Sequence, residues 1–123
     1  MLLYRDDESK STNDDLDFEH NVKSTNYLRR SYLSTMSVEK GGYLGIEKDK
    51  DGNLLEASCA TVGVLLKDGT FVVPSFDRIL PGTTAIKIMK FIEQEIIAKQ
   101  LVFEDGTKIE KIERRDINIE ECL

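Results

Sequence analysis

Basic residues, histidine and tryptophan are scarce in this chain of 123 residues. Seventeen Lys and Arg residues are outnumbered by 23 Asp and Glu residues, which gives a net charge of −6. A nucleic-acid-binding surface needs clustered Lys and Arg to contact phosphates, and the sequence has no such basic stripe. We therefore expect no nucleic acid partner.

Long apolar runs are also missing, and there are only two cysteines. No apolar stretch approaches the roughly 20 residues that a membrane-spanning helix needs. The first three residues are followed at once by Arg-Asp-Asp-Glu, unlike a signal peptide. Cys59, inside an apolar run, and the near-terminal Cys122 are too few for a disulfide framework, which indicates a reducing compartment. We expect no membrane partner and a cytoplasmic protein, or an organellar one if a targeting segment lies upstream.

Several common catalytic and metal-binding patterns are absent as well. The single histidine, His20, cannot complete a multi-histidine metal site, so we expect no metal. There is no nucleophile-elbow serine, no glycine-rich phosphate loop and no CxxC pair. What is present is 40% apolar and 33% charged residues, enough for one domain with a modest core.

The chain divides into a polar lead-in, residues 1–17, and one partial domain, residues 18–123. Residues 4–17 are charged and nearly free of apolar periodicity, which is typical of a solvated or disordered segment, and no structure is assigned to them. Residues 18–22 are predicted to be a short extended segment that leads to Lys23.

A helix of about three turns is predicted after Lys23. Its candidate N-caps are three consecutive polar residues: Ser24, Thr25 and Asn26. Its apolar positions recur at helical spacing: Leu28, Tyr32 and Met36. Gly41-Gly42 ends it, and Tyr43–Ile46 is predicted as a strand that enters a hairpin through the turn at Asp49–Gly52.

The middle of the chain is apolar. Leu54–Leu66 is predicted as one strand buried on both faces, because small and β-branched residues follow one another with little polar alternation. The turn at Asp68-Gly69 returns the chain into the strand Phe71–Pro74. A second helix, capped by Thr83 or Thr84, is predicted to extend to about Lys99. Its apolar face comprises four residues: Ala85, Met89, Ile92 and Ile96.

The C-terminal part alternates charged and apolar residues. A turn at 104–106 is followed by Ile109, Ile112 and Ile117, which indicate an edge strand. A further helix is predicted to start at 119–121. The order helix, hairpin, strand, helix, strand predicts an α+β fold.

An ordered series of signals lies between Asp51 and Thr84. The first Asp-Gly turn is followed by Glu56, the second by Pro74, and the series ends in a Leu-Pro-Gly-Thr-Thr loop at residues 80–84. Upstream, Lys23 stands in the segment VKSTNYL, 33 residues before Glu56. This series resembles the class IV aminotransferases, the branched-chain and D-amino-acid types. The resemblance extends from about Phe18 to Leu123 and covers the middle of a family subunit.

The resemblance implies the fold, cofactor and partners. The chain is expected to be part of the large C-terminal domain of a fold-type-IV pyridoxal-phosphate enzyme. The implied activity is amino transfer between an amino acid and a 2-oxo acid by a protein that is a homodimer when complete. The family's smaller N-terminal domain and its last strands are not in the sequence. The isolated chain is therefore expected to associate, to bind pyridoxal phosphate weakly and to lack activity.

The same resemblance assigns roles to individual residues. Lys23 would bond to the cofactor's aldehyde and move the proton between the substrate α-carbon and C4′. Glu56 would keep the pyridine nitrogen protonated. Thr83 and Thr84, after Gly82, would hold the phosphate at a helix start. The lesser candidates are Tyr27, for the phenolic oxygen, and Ser58, for the substrate side.

Each of these residues also has an ordinary interpretation. Most lysines are solvated, a glutamate at a strand end can face water, and many helices begin with Gly-Thr-Thr without any bound anion. The three signals matter because they occur together and at the family's spacing.

Two positions depart from the family pattern, and the subclass stays open. Ala85 stands where the family usually has an arginine, and Thr61 where it commonly has an asparagine, so we expect altered substrate handling. The short spacing between Lys23 and Asn26 is similar to the spacing in the D-amino-acid aminotransferase and aminodeoxychorismate lyase branches. Alternatives are therefore a lyase that releases pyruvate and 4-aminobenzoate, and a non-catalytic remnant or interaction module.

Overall fold

The computed structural model describes residues 2–4, 23 and 25–122. Within these residues there are six short strands: β1 (Leu2–Tyr4), β2 (Gly45–Lys48), β3 (Leu54–Ala57), β4 (Val64–Leu65), β5 (Thr70–Val73) and β6 (Lys111–Arg114). There are also two α-helices, α1 (Leu28–Glu39) and α2 (Thr83–Phe91). A π-helical turn, Ile92–Ile97, continues α2, and a 3₁₀ helix forms at Ile119–Cys122. The predicted segment 18–22 lies outside the described residues.

The strands form two sheets of three strands each. In the first, β1 pairs parallel with β2, which pairs antiparallel with β3. In the second, β4 pairs antiparallel with β5, which pairs parallel with β6. The predicted α+β class is confirmed. β1 was not predicted, because three residues before a charged run carry too little periodicity.

The predicted hairpin between β2 and β3 is confirmed. The carboxylate of Asp49 accepts hydrogen bonds from the backbone N–H groups of Asp51, at 2.9 Å, and Asn53, at 2.8 Å. Gly52 adopts a positive φ of 86°, which glycine tolerates without a steric penalty. Burial raises the pKa of Asp49, but hydrogen bonds from Asn53 and Arg78 outweigh it and leave this pKa below its ordinary value. The turn is therefore held by a charged acceptor.

Helix α1 forms, but its predicted cap and apolar face are wrong. Its N-cap is Tyr27, with no side-chain hydrogen bond, so the cap is neither Thr25 nor Asn26; the third candidate, Ser24, lies outside the described residues. The buried positions are Leu33 and Ser37, whereas Leu28 is 80% exposed. The helix lies against β2 at Gly45, where an added Cβ would be 2.7 Å from Leu33 Cγ. This close approach selects the side of α1 that is buried.

The predicted strand Leu54–Leu66 is wrong as a single element. It is two strands in two different sheets: β3 is buried at all four positions, while β4 is half-buried to exposed. Between them the chain bends back, and the Ala57 N–H donates to the Ala60 carbonyl at 2.9 Å. Small residues in this stretch permit the bend, and Cys59 is consequently exposed rather than inside a strand.

Most of the C-terminal predictions are confirmed. The apolar face of α2 and its continuation packs inward, with Ile92 and Ile96 buried. The turn at 104–106 forms, and β6 is an edge strand of its sheet. The main difference is that the helix changes from α to π geometry after Phe91.

A buried apolar cluster connects the two sheets. Its five members are Ile46, Leu54, Ala57, Val72 and Ile117. Val72 and Ile117 are completely buried. The cluster fixes β3, in the first sheet, against β5, in the second, because side chains from both sheets meet in it.

Several large apolar side chains remain exposed on the described part of the chain. Tyr43 is 93% exposed and Val38 is 61% exposed. Others are Tyr32, Phe91, Leu101 and Val102. Surface of this kind favours association, and the association of the isolated chain stays a prediction. Among the described residues, no helix is long and apolar enough to span a membrane.

The start of α2 packs tightly against the bend after β3. An added Cβ at Gly82 would lie 2.5 Å from Thr61 Oγ1 and 3.5 Å from Thr61 Cβ. The backbone of Gly82 has φ −66° and ψ 124°, which any residue can adopt. The cost of a side chain here would therefore come from the contact with Thr61 alone.

We predict that Gly82→Ala lowers the free energy of unfolding by about 1–3 kcal/mol through overpacking. Adding Thr61→Ala should recover most of this loss, because the nearest remaining atom is then at an ordinary contact distance. Urea denaturation of both single variants and the double variant measures the coupling. If the losses of unfolding free energy in the two single variants added up strictly in the double variant, the proposed contact between residues 61 and 82 would be contradicted.

Candidate functional site

An open cleft of about 960 Å³ lies where three parts of the chain meet. They are the start of α1, the end of β3 with the bend after it, and the loop that leads into α2. All five residues that the sequence singled out for the cofactor line this cleft: Lys23, Tyr27, Glu56, Thr83 and Thr84. Residues distant in sequence are thus brought to one place.

Lys23 and Tyr27 contribute the wall before α1. Both side chains are exposed, with Tyr27 48% accessible. Asn26, between them, also lines the cleft. An exposed lysine on a cleft wall can reach a ligand that enters from solvent.

Glu56 is the most buried charged group of the site. It lies on β3 with 4% of its surface exposed. The Arg30 guanidinium, on α1, donates to Glu56 Oε2 with an Nη2–Oε2 distance of 2.6 Å. Burial of a carboxylate without a partner would cost several kcal/mol, so this ion pair is what permits Glu56 to be buried.

The second carboxylate oxygen of Glu56 is in a different situation. Oε1 accepts no hydrogen bond from the described residues, and it is not among their fully buried unsatisfied atoms. Since Glu56 lines the cleft, Oε1 is available to a donor there. A carboxylate with one oxygen already hydrogen-bonded can accept a hydrogen bond from a ligand through its other oxygen.

Arg30 is the functional residue that the sequence analysis missed. Glu56 was expected to face the ring nitrogen of the cofactor, and no arginine was predicted beside it. The available signal was the Arg29-Arg30 pair at the start of the predicted helix. Which of the two arginines reaches Glu56 depends on the rotation of α1, and Arg29 instead pairs with Glu47 at 3.2 Å.

The start of α2 contributes an uncapped helix terminus. Gly82 is the N-cap, no side chain caps the first turn, and no acidic residue lies within it. The expected capping by Thr83 or Thr84 is therefore wrong, because both lie inside the helix, and both are exposed. The first N–H groups of a helix lack intrahelical partners and attract anions. The threonine hydroxyls stay available as further donors.

The charges of the cleft favour an anionic ligand with a cationic part. Three cations, Lys23, Arg29 and Arg30, face two carboxylates, Glu47 and Glu56, among the lining residues. The α2 terminus adds partial positive charge at one end. Glu56 supplies negative charge on another wall.

The two positions that depart from the family pattern also line the cleft. Ala85 lies in the first turn of α2, and Thr61 lies in the bend beside Gly82. Ser58 does not line it: the residue is buried, and its Oγ has no hydrogen-bond partner among the described residues. The lesser candidate Ser58 therefore lies away from the cleft.

Known proteins match the chain along most of its length. The family described as amino-transferase class IV matches residues 4–115. The chloroplastic D-amino-acid transaminase of Arabidopsis thaliana is 35% identical in an alignment 102 residues long, which covers 74% of this chain and 27% of that protein.

Solved structures share the fold. A fold IV transaminase from Curtobacterium pusillum matches with a TM-score of 0.67 and 27% identity, covering 85% of this chain and 32% of that one. A putative 4-amino-4-deoxychorismate lyase from Legionella pneumophila has a TM-score of 0.65 and 16% identity, over 83% of this chain and 33% of that one. A branched-chain amino acid aminotransferase from Thermobaculum terrenum, in its PLP-form, has a TM-score of 0.62 and 17% identity, over 79% and 28%.

The chain spans about a third or less of the length of each of these relatives. Its family match nevertheless covers the start of α1, Glu56 and the α2 terminus, which together form the cleft. The chain belongs to the class IV aminotransferase family.

Proposed function

We propose that this chain forms the cofactor-binding part of a pyridoxal-phosphate-dependent aminotransferase. The reaction moves an amino group between an amino acid and a 2-oxo acid. The observation that carries the proposal is the cleft in which Lys23, Glu56 and the α2 terminus meet. The 35% identity to a D-amino-acid transaminase supports the D-amino-acid type over the branched-chain type, whose match at 17% supports the fold alone.

The residues of the cleft fit pyridoxal phosphate at three separate points. The buried Glu56 carboxylate has one oxygen that accepts no hydrogen bond from the described residues, which suits a protonated ring nitrogen. The uncapped terminus at Thr83 and Thr84 suits a phosphate. Lys23 has a primary amine on the cleft wall, which suits an aldehyde. Tyr27 can donate to the phenolic oxygen.

Each residue has a defined task in the proposed reaction. Pyridoxal phosphate, when bound, supplies the electron sink that makes the α-proton of the amino acid removable. Lys23 Nζ, released once the substrate amine has taken its place on the cofactor, would take this proton as general base and would return it to the cofactor carbon. Glu56 holds the proton on the ring nitrogen. The first turn of α2 holds the phosphate and keeps the ring oriented.

The partners follow from the same proposal. The substrates are an amino acid and a 2-oxo acid, and the complete protein is a homodimer. Thr61 and Ala85 are the positions at which substrate handling would differ from the family. A cytoplasmic location remains our proposal, and the chloroplastic relative supports an organellar alternative.

A second candidate is an aminodeoxychorismate lyase that uses the same Lys23 and Glu56. The short step from Lys23 to Asn26 favours it, while the Legionella match at 16% identity supports only the fold. Parallel assays for 2-oxo acid formation and for pyruvate release from an aminated chorismate distinguish the two activities. A non-catalytic remnant would bind no pyridoxal phosphate in the complete gene product.

Lys23 should be the residue that borohydride reduction labels. With the complete gene product and pyridoxal phosphate, peptide mapping should locate a stable adduct on Lys23, because reduction traps only a carbon–nitrogen double bond. Lys23→Ala should abolish the adduct and lower turnover by about 10²–10⁴-fold. Lys99→Ala, which removes an exposed lysine outside the cleft, is the control. An adduct on another lysine would refute the assignment.

Glu56→Ala should separate cofactor attachment from turnover. The aldehyde stays reactive, so labelling of Lys23 should persist. Turnover should fall by about a hundredfold or more, because a preorganised charge is lost from the site. Glu113→Ala removes an ion-paired carboxylate outside the cleft and should leave turnover unchanged. Normal turnover in Glu56→Ala would show that Glu56 has no such role.

A further inference from the structure

Arg30 contacts Glu56 in an unusual, one-sided way. A single guanidinium nitrogen, Nη2, donates to a single oxygen, Oε2, at 2.6 Å. The Glu56 side chain is 5% exposed and the Arg30 side chain 24%. Arginine can engage both oxygens of a carboxylate in a forked arrangement, but here it leaves Oε1 without a partner among the described residues. The pair therefore fixes one oxygen and leaves the other for the cleft.

We propose that Arg30 is a positioning residue, which holds Glu56 Oε2 so that Oε1 is presented to the protonated ring nitrogen of pyridoxal phosphate. This inference rests on the proposed function. It assigns to Arg30 a role that reaches the cofactor only through Glu56.

The support for this role is the rigidity of both partners. Glu56 lies in the middle of β3, which is buried at every position. Arg30 lies in the first turn of α1, and that helix is held against β2 by the contact between Leu33 and Gly45. With both backbones fixed, one short hydrogen bond limits the rotation of the carboxylate. A carboxylate held in one orientation binds a donor without a further entropic cost.

Direct binding of an anionic ligand by Arg30 is less favoured by these contacts. The Nη2 group that holds Oε2 could turn to an anion only by leaving a buried carboxylate without its partner, which costs several kcal/mol. Arg30 is therefore committed to Glu56. The phosphate has a separate position at the start of α2.

The test compares two ligands on the same set of variants. One ligand is pyridoxal phosphate, and the other is an analogue with a C–H group in place of the ring nitrogen. Titration of the complete gene product gives a dissociation constant for each. Arg30→Met should weaken binding of pyridoxal phosphate by about tenfold or more, since hydrogen bonds to charged groups are strong, and should leave analogue binding nearly unchanged. A general effect on folding would change both constants alike.

Two further variants complete the design. Arg30→Lys should restore most of the preference for pyridoxal phosphate, because the contact uses one nitrogen and an ammonium can replace it. In a Glu56→Gln background, Arg30→Met should have no further effect on the preference. Arg78→Met is the matched control: this arginine has similar exposure, 31%, pairs with Asp49 at 2.8 Å, and lies outside the cleft. It should leave both constants unchanged.

The outcomes separate this inference from the proposed function. A complete gene product that binds neither ligand contradicts the proposed function, and this inference with it. A wild type that prefers pyridoxal phosphate, with Arg30→Met keeping that preference, overturns the role of Arg30 alone. If Arg30→Met weakened the binding of both ligands equally, the role of Arg30 would also be overturned.

Discussion

The apolar cluster that joins the two sheets is the constraint on which the rest of the structure depends. Val72, on β5 of the second sheet, and Ile117, which follows β6, are both completely buried and meet Ile46 and Leu54 of the first sheet. β3 carries Glu56, and β5 precedes the loop that ends at the start of α2. The two walls of the cleft are therefore fixed relative to each other by side chains that never contact a ligand. Close packing of this kind transmits small volume changes, so the geometry of the cleft depends on core residues some distance away.

A charged group inside this framework needs its own compensation. Glu56 lies on a fully buried strand, and the ion pair to Arg30 is the only described contact that offsets the loss of hydration of its carboxylate. The same arginine ties α1 to the sheet at a second point beside the packing of Leu33 on Gly45. The Arg30–Glu56 pair thus holds the helix against the sheet and also stabilises the buried carboxylate of the cleft.

Much of the fold was predictable from local signals. The turns at Asp49–Gly52, Asp68-Gly69 and 104–106 follow from Asp and Gly, whose preferences act over a few residues. The apolar face of α2 follows from helical spacing. The site residues were chosen because their order and spacing along the chain match the family, and the structure places all five of them around one cleft. Their roles were inferred from that resemblance, not from their own chemistry.

The predictions that were wrong concern features that are determined by tertiary contacts. The buried side of α1 is selected by Gly45 on another element, so Leu28 and Tyr32 lie outward despite their spacing. The run Leu54–Leu66 has little polar alternation, which gives no sign that the chain changes sheets at the bend after Ala57. Arg30 was missed for the same reason, since the rotation of α1 determines which arginine reaches Glu56.

Lys23 and Arg30 lie on one continuous stretch of chain, the segment that enters α1 and its first turn. A small rotation of α1 about its axis would change the position of the amine and the orientation of the Glu56 carboxylate at the same time. In the proposed complex, a backbone movement that shifts the amine at the aldehyde of the cofactor would therefore also shift the carboxylate at its ring nitrogen. We therefore expect that Lys23 and Arg30 must be exchanged together when this part of the chain is replaced by that of a relative.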